Sequence, residues 1–227
     1  ALAATDGVAL ELRMDLVTQV ELGMRLRAPH GQSVRELVPP DLRTRLRKLV
    51  ETKGGSWALV QQMRPWMAAV MLSFVGGGAL QKGAPIDVVL HDWAIDHGKP
   101  SDGLETVAEQ ATMGDGLTTG EQLQLLGDVV ARAEKGKLDP APLREAYFAG
   151  DERRTLALIH EPGGSRAAAK FERALLDERN ARLAERIRAR LQAGTPTLFA
   201  VGVAHVIGKG GIVERLTRAG YKLTRVR

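Results

Sequence analysis

Three residues in this chain stand where chemistry would be done if the elements around them are neighbours: Glu11, Glu105 and His205. Each follows a short apolar run that reads as a strand. Val8-Ala-Leu-Glu11-Leu places a carboxylate at the end of the first run. Asp102-Gly-Leu-Glu105-Thr106 places another where a helix from Val107 to Met113 begins. Leu198 to Gly202 is a third run, followed by Gly202-x-x-His205 and the glycine-rich Gly208-Lys-Gly-Gly211. In an open α/β sheet, ligands bind beyond the carboxyl ends of the strands. Two carboxylates and an imidazole there could hold a divalent cation or handle a proton. Each also has a plainer reading. A histidine after a strand is often a hydrogen-bonded structural residue, Glu105 is a charge favoured at a helix N-terminus, and Glu11 is an exposed edge residue.

The helical stretch from Ser165 to about Gln192 supplies the fourth component. Phe171, Leu175, Leu183 and Ile187 recur at four-residue steps, and Arg179 lies on the same stripe. An arginine facing a core needs a carboxylate partner, and Glu11 and Glu105 are the candidates. The alternative is an Arg179 that snorkels to solvent at the edge of the stripe. Asn180 points partly toward the same region.

Ahead of and between these segments the chain reads as helical. Amphipathic or capped helices are expected from Asp15 to Arg27 and from about Asp41, as cap, to Lys53. Others run from Trp57 to Met63, from Pro65, from Ile86 to His97 and from Glu121 to Lys135 under a Thr118 or Thr119 cap. Pro142 to Ala149 and a short helix capped by Asp151 complete the set. Trp57, Trp66 and Trp93 are read as core. Gly76-Gly-Gly78 ends an apolar helix, and Glu161 to Gly164 is a linker. A last strand is expected from Tyr221 to Val226. The organisation is one α/β domain over residues 1–227: a small central sheet with helical layers at 13–100 and 107–163. Asp87 and His91 share a helix face at a spacing that could hold a metal, though a surface pair is the simpler reading.

Composition narrows the function. The chain has 227 residues, 44% of them hydrophobic, and so enough apolar surface for a proper core. It has no cysteine, so any metal takes oxygen and imidazole ligands. No run approaches the roughly 20 apolar residues of a membrane span. The net charge is +5, but the basic residues are interleaved with acids on helix faces and aromatics make up only 4%. A nucleic-acid partner is not expected.

The strings "GLETVAEQ" (Gly103 to Gln110), "LLDERNARLAERI" (Leu175 to Ile187) and "FAVGVAHVIGKGGIVERLTRAGYKLTRV" (from Phe199) resemble the TraB/GumN family, which includes the Tiki proteins. So do "DGVALEL", Arg64-Pro-Trp66, "APIDVVLHDWAIDHGKP" and the Tyr147…Gly150-Asp151 turn. The resemblance implies a fold akin to the haem-binding ChaN and erythromycin-esterase proteins. For the Tiki branch it implies a metal-dependent peptidase with paired Gly-x-x-His motifs, a glutamate and an Arg-Asn pair at its site. Here only His205 stands in such a motif, since none of His30, His91, His97 and His160 follows a glycine by three. The expectation is that a strand carrying the first motif precedes Ala1. Asp87 matches the family's aspartate and, with Gly202, joins the site in a supporting place.

The expected site is therefore Glu11, Glu105 and His205 as metal ligands, with Glu105, Arg179 and Asn180 as catalytic groups. Glu105 would be ligand or general base, and Arg179 would hold carboxylates or an oxyanion. One nitrogen and two carboxylates suit Mn²⁺ or Co²⁺ at modest affinity, so this sequence is expected to bind divalent metal weakly or not at all. The leading function is a metal-assisted hydrolase of peptides or other small molecules. The rivals are a binding protein that sequesters a peptide or a tetrapyrrole, and a helical interaction module with a vestigial site. An exported, periplasmic location follows weakly from the resemblance.

Overall fold

A computed structural model describes residues 2–75, 84–160 and 164–226. Three short parallel strands, β1 (Gly7–Leu10), β2 (Ser101–Gly103) and β3 (Thr197–Ala200), form a sheet in the order β2-β1-β3. The register sets Leu10 level with Gly103 on one side and with Ala200 on the other. The three strands expected from the apolar runs are therefore neighbours, and their carboxyl ends form one rim.

β1 is buried along its whole length, and successive side chains alternate between the two faces of the sheet. Val8 and Leu10 pack with Ala94 and, less deeply, Leu90 and Trp93 of the helix Ile86–Asp96. Ala9 faces the other way, into Leu183, Ala184 and Ile187 of the helix Arg179–Gln192 and Ile212 and Leu216 of the helix Ile212–Arg218. Helices thus cover both faces of a parallel sheet, which is why β1 reads as an unbroken apolar run. The fold is α/β and helix-rich.

By internal contacts the chain divides into two compact units. The unit that contains the sheet comprises Ala1–Glu21, Ala84–Gln110 and Arg173–Arg227. The other, Leu22–Gly83 and Ala111–Glu172, is helical. Its core is the pairing of Pro65–Val75 with Thr119–Glu134, with Trp66 fully buried and its ring 5.8 Å from that of Phe171. Thr118 caps Thr119–Glu134 through a reciprocal box with Glu121. Residues 161–163 of the expected linker, and the glycine run from Gly76, lie outside the described residues.

Three local expectations are corrected and a fourth gains a detail. The stretch from Ser165 to Gln192 is helical from Arg166 on, as expected, but a π-type turn, Ala174–Glu178, lies between Arg166–Arg173 and Arg179–Gln192. A π-turn inserts one residue into the helical repeat. Leu176 consequently takes the buried place, and Leu175 is only half-buried. Tyr221–Val226 forms no strand. Tyr221 packs against the core, but Leu223 and Val226 are exposed, and alternation makes a strand only where a neighbour offers a ladder. Asp41 lies inside the helix Pro40–Thr52, whose cap position is Pro39. The helix Leu16–Arg25 buries none of its residues, leaving Leu16, Val17, Val20 and Met24 exposed.

No described helix is long and apolar enough to cross a membrane.

Gly103 ends β2 where two backbones nearly touch. A Cβ there would lie 2.8 Å from the Glu105 carbonyl oxygen and 3.0 Å from the Arg13 nitrogen, and neither atom can swing aside. Gly103→Ala should therefore destabilise by about 1–3 kcal/mol. Gly116→Ala, with open space around the new methyl, should be neutral or slightly stabilising. Thermal and urea denaturation of the two variants provides the comparison, and equal stabilities would show that the β2 exit tolerates repacking.

Candidate active site

The chain leaves β1 at Glu11 and β2 at Leu104-Glu105, and the backbone ladder continues one step past the strands. Leu104 N–H donates to the Leu10 carbonyl at 2.7 Å, and Glu105 N–H to that of Glu11 at 2.8 Å. Both carboxylates are thereby fixed at the rim. Arg179 lies between them, its side chain only 6% exposed. Its Nη2 donates to Glu11 Oε2 at 2.7 Å and to Glu105 Oε2 at 2.5 Å, while Nε donates to Glu105 Oε1 at 3.0 Å. Glu105 is fully buried as a side chain, and Gln110 Nε2 adds a bond to Oε2 at 3.2 Å. Arg179 thus faces the core between the two carboxylates and does not snorkel.

Arg179 is the first of four arginines on one helix face, at positions 179, 182, 186 and 190, that lie against β2 and its exit. Arg190 pairs with Asp102 at 3.0 Å. Arg186 forks onto Glu109 at 2.9 and 2.6 Å and also reaches the Leu104 carbonyl at 2.5 Å. That fork holds the Glu109 carboxyl down at about 2. Arg182 Nη2 stands 3.9 Å from Glu105 Oε1. The row was visible in the sequence only as surface charge, because its partners come from a segment more than 70 residues away.

His205 lies in the single helical turn Val203–Val206 that follows Gly202, and it is 4% exposed. Its Nδ1 meets Asn180 Oδ1 at 2.7 Å. An amide oxygen only accepts, so Nδ1 carries the proton and Nε2 presents a lone pair. Nε2 lies 4.0 Å from Glu11 Oε1. Glu11 Oε1 in turn accepts the Gly202 N–H at 2.7 Å. A Cβ on Gly202 would lie 3.3 Å from this oxygen, so the glycine allows the carboxylate to approach closely.

Charge follows from this geometry. Burial lowers the His205 pKa below 6.5, and Arg179 adds to the effect against the pull of Glu11 and Glu105. Burial alone would raise Glu11, but the Gly202 amide, Arg179 and His205 together hold it below 4.5. At neutral pH the pair is a neutral imidazole beside a carboxylate, two acceptor atoms 4.0 Å apart. Asp87, half-buried, is raised by burial and by the negative charge of Glu11, which places it within electrostatic reach of the rim. His91 is neither a surface residue nor a partner of Asp87. It is buried, with Nδ1 2.8 Å from Ser101 Oγ.

Glu11, Glu105, Arg179, Asn180, Gly202 and His205 are therefore brought together within the sheet-containing unit. As donors to a metal they are limited. Both Glu105 oxygens are held by Arg179, and Glu11 Oε2 is too. His205 Nε2 and Glu11 Oε1, which also accepts the Gly202 N–H, are the atoms Arg179 does not hold, and among the described residues no group of three His, Cys, Asp or Glu side chains could hold a metal ion.

A three-stranded parallel sheet, helices on both faces and a polar cluster beyond the strand ends define an open α/β domain with a rim site. A protein-family model described as the TraB/PrgY/gumN family matches residues 1–225, and the chain belongs to that family. No curated protein and no solved structure matches it.

Two outcomes follow. Arg179→Ala strands two carboxylates and should destabilise the fold by about 3–5 kcal/mol in urea denaturation; an unchanged midpoint would show that the cluster is dispensable. His205 takes its proton more readily when unfolded, so stability should fall as pH drops through about 6.5. Glu11 stabilises above about 4.5, and its contribution is lost as pH falls below that. His205→Gln should flatten the upper part of this decline and leave the lower part. A decline of the same shape in both proteins would contradict the assignment.

Proposed function

We propose that the chain is a hydrolase that cleaves peptide bonds, with His205 and Glu11 as its reacting pair. The observation that carries this reading is the convergence of His205 Nε2 and Glu11 Oε1, 4.0 Å apart, each held from behind by Asn180 or by Arg179 and the Gly202 amide. A water between them would donate one proton toward each. As its oxygen attacks the peptide carbonyl carbon, a proton passes to His205 Nε2, and Glu11 stabilises the imidazolium that forms. When the C–N bond breaks, the same proton passes to the leaving amine. Asn180 keeps the imidazole in the required tautomer. Arg179 and Glu105 are positioning residues: Nε and Nη2 of Arg179 bond Glu105 and Glu11, and both Glu105 oxygens accept from Arg179.

The family resemblance implies a divalent metal here. The described residues do not fit one as a complete set, because His205 Nε2 and Glu11 Oε1, the latter already accepting the Gly202 N–H, fall short of the three protein ligands usual at catalytic zinc. That shortfall also favours a second reading, a protein that binds a peptide or a tetrapyrrole at this rim without cleaving it.

A mixed peptide library, with products read by mass spectrometry, separates the two readings. Cleavage that falls about 100- to 10,000-fold in His205→Ala and Glu11→Gln supports the hydrolase. Undiminished cleavage in both variants overturns it, and saturable binding without products establishes the binding protein. Elemental analysis after dialysis, with His205→Ala as control, should find well under one equivalent of metal. A full equivalent that disappears in the variant would require ligands beyond the pair.

A further inference from the structure

Of the four arginines on the face of the helix Arg179–Gln192, three are hydrogen-bonded to β2 or its exit and one is not. Arg182 makes no hydrogen bond among the described residues. Its Nε is buried without a partner, and its Nη2 stands 3.9 Å from Glu105 Oε1, beyond hydrogen-bond reach. Both oxygens of the carboxylate it approaches already accept from Arg179, and Oε2 also accepts from Gln110. Yet the side chain is 39% exposed, so its terminal nitrogens reach solvent beside the rim cluster. A guanidinium left this way has two parallel donors and a full charge, and a carboxylate is the planar acceptor that matches them.

We infer that Arg182 binds a carboxylate of the substrate, either a free C-terminus or an acidic side chain, and so selects acidic peptides at this site. The inference rests on the peptide-hydrolase reading for its substrate class, but not for the carboxylate contact itself. Arg182 would grip the ligand end-on through its two terminal nitrogens, with Nε fixed in the protein. Glu105 keeps the guanidinium oriented without consuming its donors, since Arg179 already holds both carboxylate oxygens. Lysine, a point charge without the fork, should replace Arg182 only in part.

Two measurements test this on the whole protein. In the first, the Nε–H resonance of Arg182, assigned by its loss in R182K, is followed by NMR during titration with N-acetylglycine. N-acetylglycinamide and sodium chloride at equal ionic strength are the controls. A saturable shift with the carboxylate alone is expected. No shift, or the same shift with the amide or with chloride, overturns the inference whether or not the protein is a hydrolase. In the second, cleavage is compared across matched peptides: free or amidated at the C-terminus, and with Glu or Gln along the chain. The wild type should prefer one carboxylate class by about 10- to 100-fold, which identifies its source. R182Q should bring that preference close to unity through KM rather than kcat, and R182K should restore part of it. A preference that survives in R182Q, or a fall in kcat alone, rejects Arg182 as the anchor.

Discussion

The geometry of this site depends on one shared guanidinium. Glu11 and Glu105 leave adjacent parallel strands one and two residues beyond a level pair, Leu10 and Gly103. Two carboxylates emerging at the same end of a sheet repel each other, and burying them unpaired would cost several kcal/mol each. Arg179 removes both difficulties by bonding to both. Its position is set by the packing of Leu183 and Ile187 against Ala9, so the apolar core and the polar cluster are two faces of one contact between helix and sheet.

Around that pair the structure separates residues that hold from residues that are held. Glu105 and Arg179 are buried, and both Glu105 oxygens accept from Arg179. Glu11 is bound on one oxygen by Arg179 and on the other by the Gly202 amide. It stays partly open on the side that faces His205. Asn180 lies next to Arg179 in sequence and orients the imidazole. Two neighbouring residues of one helical turn thus fix both members of the reacting pair.

The π-turn Ala174–Glu178 ends immediately before these two residues. An uninterrupted α-helix would carry the stripe of Phe171 and Leu175 straight on to Arg179. With the extra residue, Leu176 is buried in place of Leu175, and Arg179 and Asn180 are both buried. Such turns occur often at functional positions because they re-aim side chains without ending a helix.

The sequence alone determined the elements and the candidates. The apolar runs ending at Glu11, before Glu105 and at Gly202 were legible as strands, and the four-residue recurrence placed Arg179 on an inward face. These are local properties, written in the period of the side chains. Other features had no local signature. The pairing of Arg186 with Glu109, the capture of Glu11 by the Gly202 amide and the tautomer of His205 join residues from 25 to 191 positions apart, where chain spacing carries no information. The π-turn was hidden because a helix with one extra residue keeps the same composition. The Tyr221–Val226 alternation promised a strand that found no neighbour. Strands and inward faces follow from periodicity. Which oxygen meets which nitrogen, and which arginine is left without one, was decided only when the tertiary structure brought those segments together.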